Sequence, residues 1–202
     1  MRIVLARHGD ATNQENKFHG LVDEPITSKG REKAYQLAEE LRKYHATAIY
    51  YSPLSRCRDT AKILAGELDM PARKAPALKP LDMGDFVGKD VKSNLDEVRH
   101  YLKHTRESFP GGESVDHWAR NYLPFFEKYF KHKNDETIIF VTHGRCILLS
   151  KAYIKKGNLA PDFDKNVLLD STQTTEHAGH AVATPPDKFQ IIDSKAVTAG
   201  KS

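Results

Sequence analysis

Thr137-Ile138-Ile139-Phe140-Val141-Thr142-His143-Gly144 is the stretch on which the fold turns. All six residues before the histidine are β-branched or aromatic, and none is charged, which makes 137–142 the clearest strand in the chain. A second such run opens the sequence: Arg2-Ile3-Val4-Leu5-Ala6 runs into Arg7-His8-Gly9. Both strands thus stop at His-Gly.

Between and beyond them, strand and helix patterns alternate. Thr27 or Ser28 can cap a helix running to about Tyr44, with Ala34, Leu37, Ala38 and Leu41 on one face. Residues 47–51 read as a short strand. Ser52-Pro53 reads as an N-cap followed by a first-turn proline, opening a helix that carries Leu54, Cys57, Ala61, Leu64 and Leu68 at helical spacing. The middle, roughly 70–112, is rich in Pro and Gly, with a helix expected over 93–105. An amphipathic helix starts near Glu113 and uses Val115, Trp118, Tyr122, Phe125, Phe126 and Tyr129, with a bend expected at Pro124. A helix after Gly144 closes near Gly157, and 188–193 reads as a last edge strand. The pattern predicts a three-layer α/β/α sandwich around a mostly parallel sheet, one domain over 1–193 and a disordered tail over 194–202. Ligands of such sheets bind beyond the carboxyl ends of the strands. If the two His-Gly strands are neighbours, His8 and His143 meet at one rim.

Composition narrows the function classes. The chain has 202 residues, 39% hydrophobic and 29% charged, with a net charge of +4, as expected of a soluble globular protein. No apolar run approaches the roughly 18–20 residues that span a bilayer. The short apolar start runs into polar residues, unlike a signal peptide, so a cytoplasmic location is expected. The Lys and Arg residues are dispersed, which suits a basic pocket for a small anion better than a nucleic-acid surface. Cys57 and Cys146 fall on apolar helix faces and read as core residues, and no His/Cys spacing matches a zinc site.

Arg, His and Gly at strand ends suit phosphate chemistry. A phosphate monoester dianion needs cations around its equatorial oxygens, an in-line nucleophile and a proton for the leaving oxygen. Neutral imidazole attacks phosphorus well, and the phosphoramidate it forms is labile to water. The planar fork of Arg bonds two oxygens at once. Gly after each His allows close backbone approach, and Gly144 also opens a helix whose N–H groups face an anion.

Several motifs occur in order. They are Arg7-His8-Gly9, the loop Asn13–Gly20, Asp23-Glu24-Pro25-Ile26-Thr27-Ser28-Lys29-Gly30, and Ser52-Pro53-Leu54-Ser55-Arg56-Cys57-Arg58-Asp59-Thr60-Ala61. Pro110-Gly111-Gly112-Glu113-Ser114 and Val141-Thr142-His143-Gly144 follow. In this arrangement, which covers about residues 1–150, the chain resembles the histidine phosphatase superfamily, the phosphoglycerate-mutase-like group of branch 1. The resemblance implies that His8 is the nucleophile, that Arg7, Arg56 and His143 grip the phosphoryl oxygens, and that Asn13 is a further phosphate contact. It implies hydrolysis of phosphate monoesters through a phosphohistidine, on a small-molecule substrate, with neither metal nor cofactor. Within the same resemblance stand a phosphohistidine or protein phosphatase, a phosphoglycerate-type mutase and a non-catalytic phosphate-binding module. Glu113 and Ser114 are read as helix-start capping residues.

The chain departs from the family pattern at one point. Most relatives place a general-acid glutamate four residues before a Gly-x-aromatic-x-Gly segment. That segment is Gly84-Asp85-Phe86-Val87-Gly88 here, and the glutamate position is Pro80. Asp82 is the candidate acid, Asp85 the second, and a purely turn-organising Asp82 is the structural alternative.

Overall fold

Side-chain alternation along two strands builds two cores, one on each face of a single sheet. The computed structural model describes residues 1–11, 16–132, 134–156, 179–184 and 188–192. The strands are β1 (Arg2–Arg7), β2 (Ala48–Tyr51), β3 (Ala72–Lys74), β4 (Thr137–Thr142), β5 (His180–Thr184) and β6 (Lys188–Ile192), in the order β3-β2-β4-β1-β5-β6. β1, β4, β2 and β3 pair in parallel; β5 runs antiparallel to β1, and β6 antiparallel to β5. The helices are α1 (Ser28–Leu41), α2 (Ser55–Leu68), α3 (Val91–Lys103), α4 (Val115–Phe130) and α5 (Gly144–Lys156).

Successive strand residues point to opposite faces. Val4, Ala6, Ile139 and Val141 therefore pack with Leu37, Ala38 and Leu41 of α1 and Cys57, Ala61 and Leu64 of α2. Ile3, Leu5, Ile138 and Phe140 pack on the other face with Trp118, Tyr122 and Phe126 of α4 and Ile147 of α5. Fully burying each such side chain contributes about 1.5–3 kcal/mol. The expected three-layer α/β/α sandwich is the observed one. β1 feeds α1 on one side of the sheet and its neighbour β4 feeds α5 on the other. Their connections diverge, so a crevice opens at their carboxyl ends.

Most element boundaries match the sequence reading within two residues, and Thr27 is the cap of α1, accepting from Gly30 N. α4 is a single helix with Pro124 inside it, and its cap is Ser114, which accepts from His117 N. The edge strand expected over 188–193 is β6. Two strands were not expected. β3 has only three residues, too few to show a period, with Arg73 and Lys74 exposed. β5 reads His-Ala-Val-Ala-Thr, a buried strand without large apolar side chains.

The expected start of α2 needs correction. Leu54, not Ser52, occupies the N-cap position, and the helix begins at Ser55. Ser52 is instead fully buried with its hydroxyl 2.9 Å from His143 Nε2. Cys57 and Cys146 are both buried and unpaired, as expected. The tail over 194–202 and residue Asn13 lie outside the described residues. Among the described residues no helix is long and apolar enough to cross a membrane.

Candidate active site

The register of β1 on β4 pairs Arg7 with Thr142, so the residues that follow, His8 and His143, leave the sheet side by side. The ladder continues one step through His8 N–H donating to Thr142 O at 3.1 Å. The two imidazole centroids lie 5.2 Å apart at 61°, and both side chains are buried. His8 Nδ1 lies 2.8 Å from Gly9 O. A carbonyl only accepts, so Nδ1 carries the proton and Nε2 the lone pair.

The turn that presents His8 is clamped by close backbone packing. Gly9 N–H donates to Thr60 Oγ1 at 3.0 Å, and that hydroxyl donates to Arg56 O at 2.8 Å. Thr27 N–H donates to Asp10 O at 2.8 Å. A Cβ on Gly30 would stand 2.3 Å from Asp10 O, a clash with backbone, so only glycine lets α1 approach the histidine turn this closely.

Arg56 is buried in the first turns of α2. Its two Nη atoms donate to the carbonyls of Val22 and Gly20, and its Nε, also buried, has no hydrogen-bond partner among the described residues. Arg56 thus braces the 20–22 loop besides charging the site. Arg7 is held at about 10, first by burial; Asp10 opposes the shift, and the charges of Arg145 and Arg56 add to it. Arg145, in the first turn of α5, was not singled out from the sequence. Burial lowers it to about 10, and its Nε has no hydrogen-bond partner among the described residues. Its side chain follows His143-Gly144, so the signal for it was an arginine one step past the motif. His19 lies in the quoted Asn13–Gly20 motif but received no role of its own from the sequence; its charge acts on His143.

Both histidines are held neutral. Burial lowers His8 well below its ordinary value, and His143, Arg56 and Arg7 push the same way. Burial likewise lowers His143, followed by Arg56 and Arg7. His180 on β5, whose Nε2 lies 3.2 Å from Tyr44 Oη, is lowered by burial and then by Lys43 to about 4. For all three the native state binds fewer protons than the unfolded chain once pH falls below about 6.5. Stability is therefore complete above that pH and falls as pH drops through it toward the folded values. Each histidine adds a slope of about 1.4 kcal/mol per pH unit inside its window. Melting followed by circular dichroism is expected to show a falling Tm from pH 6.5 to pH 4. The acidic limb of kcat/KM is expected below pH 6.5, and an acidic limb at or above 6.5 would contradict a neutral, buried His8.

Asp82 stands elsewhere in the described contacts. Its Oδ1 accepts from Gly84 N–H at 3.0 Å, its own N–H donates to Glu113 Oε1 at 3.0 Å, and Glu113 N–H donates back to Asp82 O at 3.1 Å. That is the turn-organising role. No described contact joins Asp82 to His8 or His143. Asp82 does line a cleft of about 470 Å³ together with Leu21, the residue between the two carbonyls that Arg56 holds. Asp85 is exposed. Glu113 clasps the Asp82 loop, while Ser114 alone caps α4. Gly144 is the first residue of α5, directly after His143. Among the described residues one group could hold a metal ion, His100, His104 and Glu107, and it contains none of the strand-end residues.

Two neutral imidazoles thus stand at adjoining parallel strand ends of an α/β sandwich, within electrostatic reach of Arg7 and Arg56. The chain belongs to the histidine phosphatase superfamily, branch 1, whose family model matches residues 3–176. Over 150 residues it is 31% identical to a probable phosphoglycerate mutase GpmB of Enterobacter sp. (strain 638), covering 71% of this chain and 70% of that one. Over 149 residues it is 27% identical to phosphoserine phosphatase 1 of Hydrogenobacter thermophilus, covering 71% of each. A solved mycobacterial glucosyl-3-phosphoglycerate phosphatase superposes with a TM-score of 0.73 at 23% identity, over 90% of this chain and 88% of that one. That last likeness is one of fold.

Proposed function

We propose that the protein is a metal-independent phosphatase of small phosphate monoesters, acting in the cytoplasm through a single domain over 1–193. The observation that carries this reading is His8, with Nδ1 tied to Gly9 O and Nε2 holding the lone pair, beside His143 and within reach of the Arg7 and Arg56 charges. In the first step the His8 Nε2–P bond forms as the ester P–O bond breaks, and the leaving oxygen takes a proton. In the second, water attacks phosphorus, the N–P bond breaks, and inorganic phosphate leaves. Arg7, Arg56 and His143 hold the equatorial oxygens, and Asn13 and Gly144 add contacts to the same group. Fixed guanidinium charge does the work that a divalent ion does elsewhere.

Phosphate release from p-nitrophenyl phosphate in excess EDTA tests this. Turnover equal to that without chelator is expected; loss of activity on chelation, restored by a divalent ion, would overturn metal independence. Asp82 is the assigned acid: with Glu113 it is one of two carboxylates lining the cleft beside the 20–22 loop, and it stands in the loop before Gly84 where the family resemblance puts the acid. Asp82→Asn is expected to cost on the order of 10²–10⁴-fold on an alkyl phosphate and far less on the aryl ester, whose leaving group needs no proton. An equal effect on both esters would remove Asp82 from that role and leave it as the organiser of its turn.

The identity to a probable phosphoglycerate mutase favours one second reading, phosphoryl return to a substrate hydroxyl. A phosphohistidine that resists water and discharges only to an added alcohol would select it.

A further inference from the structure

Outside the phosphoryl-transfer site, the carboxyl end of α3 gathers a second set of donors. His100 and His104 are one helical turn apart, so their side chains rise on the same face. Their ring centroids lie 4.2 Å apart. His104 Nδ1 lies 2.9 Å from His100 O, which fixes the proton on Nδ1 and leaves the lone pair on Nε2. The chain then turns, with Glu107 N–H donating to His104 O at 2.8 Å, and Glu107 Oε2 comes back to 2.9 Å from His100 Nε2. One donor atom from each of the three side chains falls within 4.8 Å of the others.

We propose that His100, His104 and Glu107 form a surface site for one divalent transition-metal ion of the zinc class. A His100–Glu107 pair alone would account for one contact, not for a third donor converging on it with its tautomer already set by a backbone carbonyl. That carbonyl is the outer-shell partner that ligating histidines characteristically use. Two imidazole nitrogens and one carboxylate oxygen suit zinc, nickel, cobalt or copper. Magnesium and calcium prefer oxygen ligands throughout. All three residues are exposed, so the ion enters without burying charge and keeps water on its open positions.

The site would brace a functional segment without joining the chemistry. The turn after His104 is tied to α4 by Asp116 N–H donating to Thr105 O at 2.8 Å and by Arg106 Nε 3.8 Å from Asp116 Oδ2. α4 follows Glu113, which clasps the Asp82 loop. An ion bridging 100, 104 and 107 thus pins the end of α3 to the turn that leads there. Binding to the native state alone raises the melting temperature.

Calorimetric titration of the full chain with zinc chloride at pH 7.5, after chelator treatment, tests the assignment. One equivalent is expected to bind with a Kd on the order of micromolar, with a matching rise in Tm. His100→Ala and His104→Ala are each expected to weaken that binding by roughly tenfold or more, and magnesium is expected to show no comparable heat. The three side chains are exposed, so both variants should match the parent's Tm and its p-nitrophenyl phosphate turnover in EDTA. Zinc binding left intact by His104→Ala, absent from the parent, or matched by magnesium would overturn the site. None of those results bears on the phosphatase reading, which is tested in chelator.

Discussion

His8→Ala is expected to lower turnover of p-nitrophenyl phosphate by on the order of 10⁴-fold or more, while the protein still folds and still binds inorganic phosphate. The size follows from the kind of group removed. A nucleophile, the role proposed for His8, is used in every turnover. His143 is 5.2 Å away ring to ring, with Nε2 occupied by Ser52 Oγ at 2.9 Å. The groups proposed to bind the anion survive, because Arg7, Arg56 and His143 keep their positions through the β1–β4 register and α2. Two measurements check this together: rapid-quench trapping of an acid-labile phosphoenzyme, expected in the parent and lost in the variant, and calorimetric phosphate binding, expected within about tenfold of the parent. Residual turnover near the parent's, or a phosphoenzyme that persists in His8→Ala, would place the nucleophile elsewhere.

The second large effect concerns Arg56. Arg56→Ala is expected to lower kcat by about 10²–10³-fold, the usual cost of losing one preorganised charge donor. Unlike His8→Ala, it should also destabilise the fold. The side chain is 1% exposed and holds the carbonyls of Gly20 and Val22, two hydrogen bonds from a charged donor worth about 1.5–3 kcal/mol each. A Tm loss of several degrees is expected, since 1 kcal/mol moves a chain of this size by roughly 2–4 °C. Arg56→Lys separates the two roles. An ammonium keeps the charge but cannot serve two carbonyls and the site at once, so partial recovery of kcat with little recovery of Tm is expected. Full recovery of both by lysine would mean that the guanidinium fork is not what matters.

Much of this was legible in the sequence, for particular reasons. Runs such as 2–6 and 137–142 declare themselves because strands buried in a sheet can carry almost nothing polar. Thr27 and Gly30 are readable as a pair, and the structure supplies the reason: one caps α1, and the other has no side chain to strike Asp10 O. Other features left no such mark. Ser52 before Pro53 looks like a cap, and only the position of β4 makes it a partner of His143. Arg145 is one more basic residue until the first turn of α5 carries it into reach of Arg7. Asp82 reads first as an acid and only second as a turn residue, and its hydrogen bond from Gly84 N–H is a fact of loop geometry.

Residue type, order and spacing by themselves determined the strand-helix alternation, the sandwich and the two strand-end histidines as the groups to watch. Only the tertiary structure decided that β1 lies directly against β4 with Arg7 opposite Thr142, which joins imidazoles 135 positions apart. The physical reason is range. Propensity and periodicity act over a few residues, whereas strand pairing and the burial that keeps two histidines neutral arise when distant segments share one core.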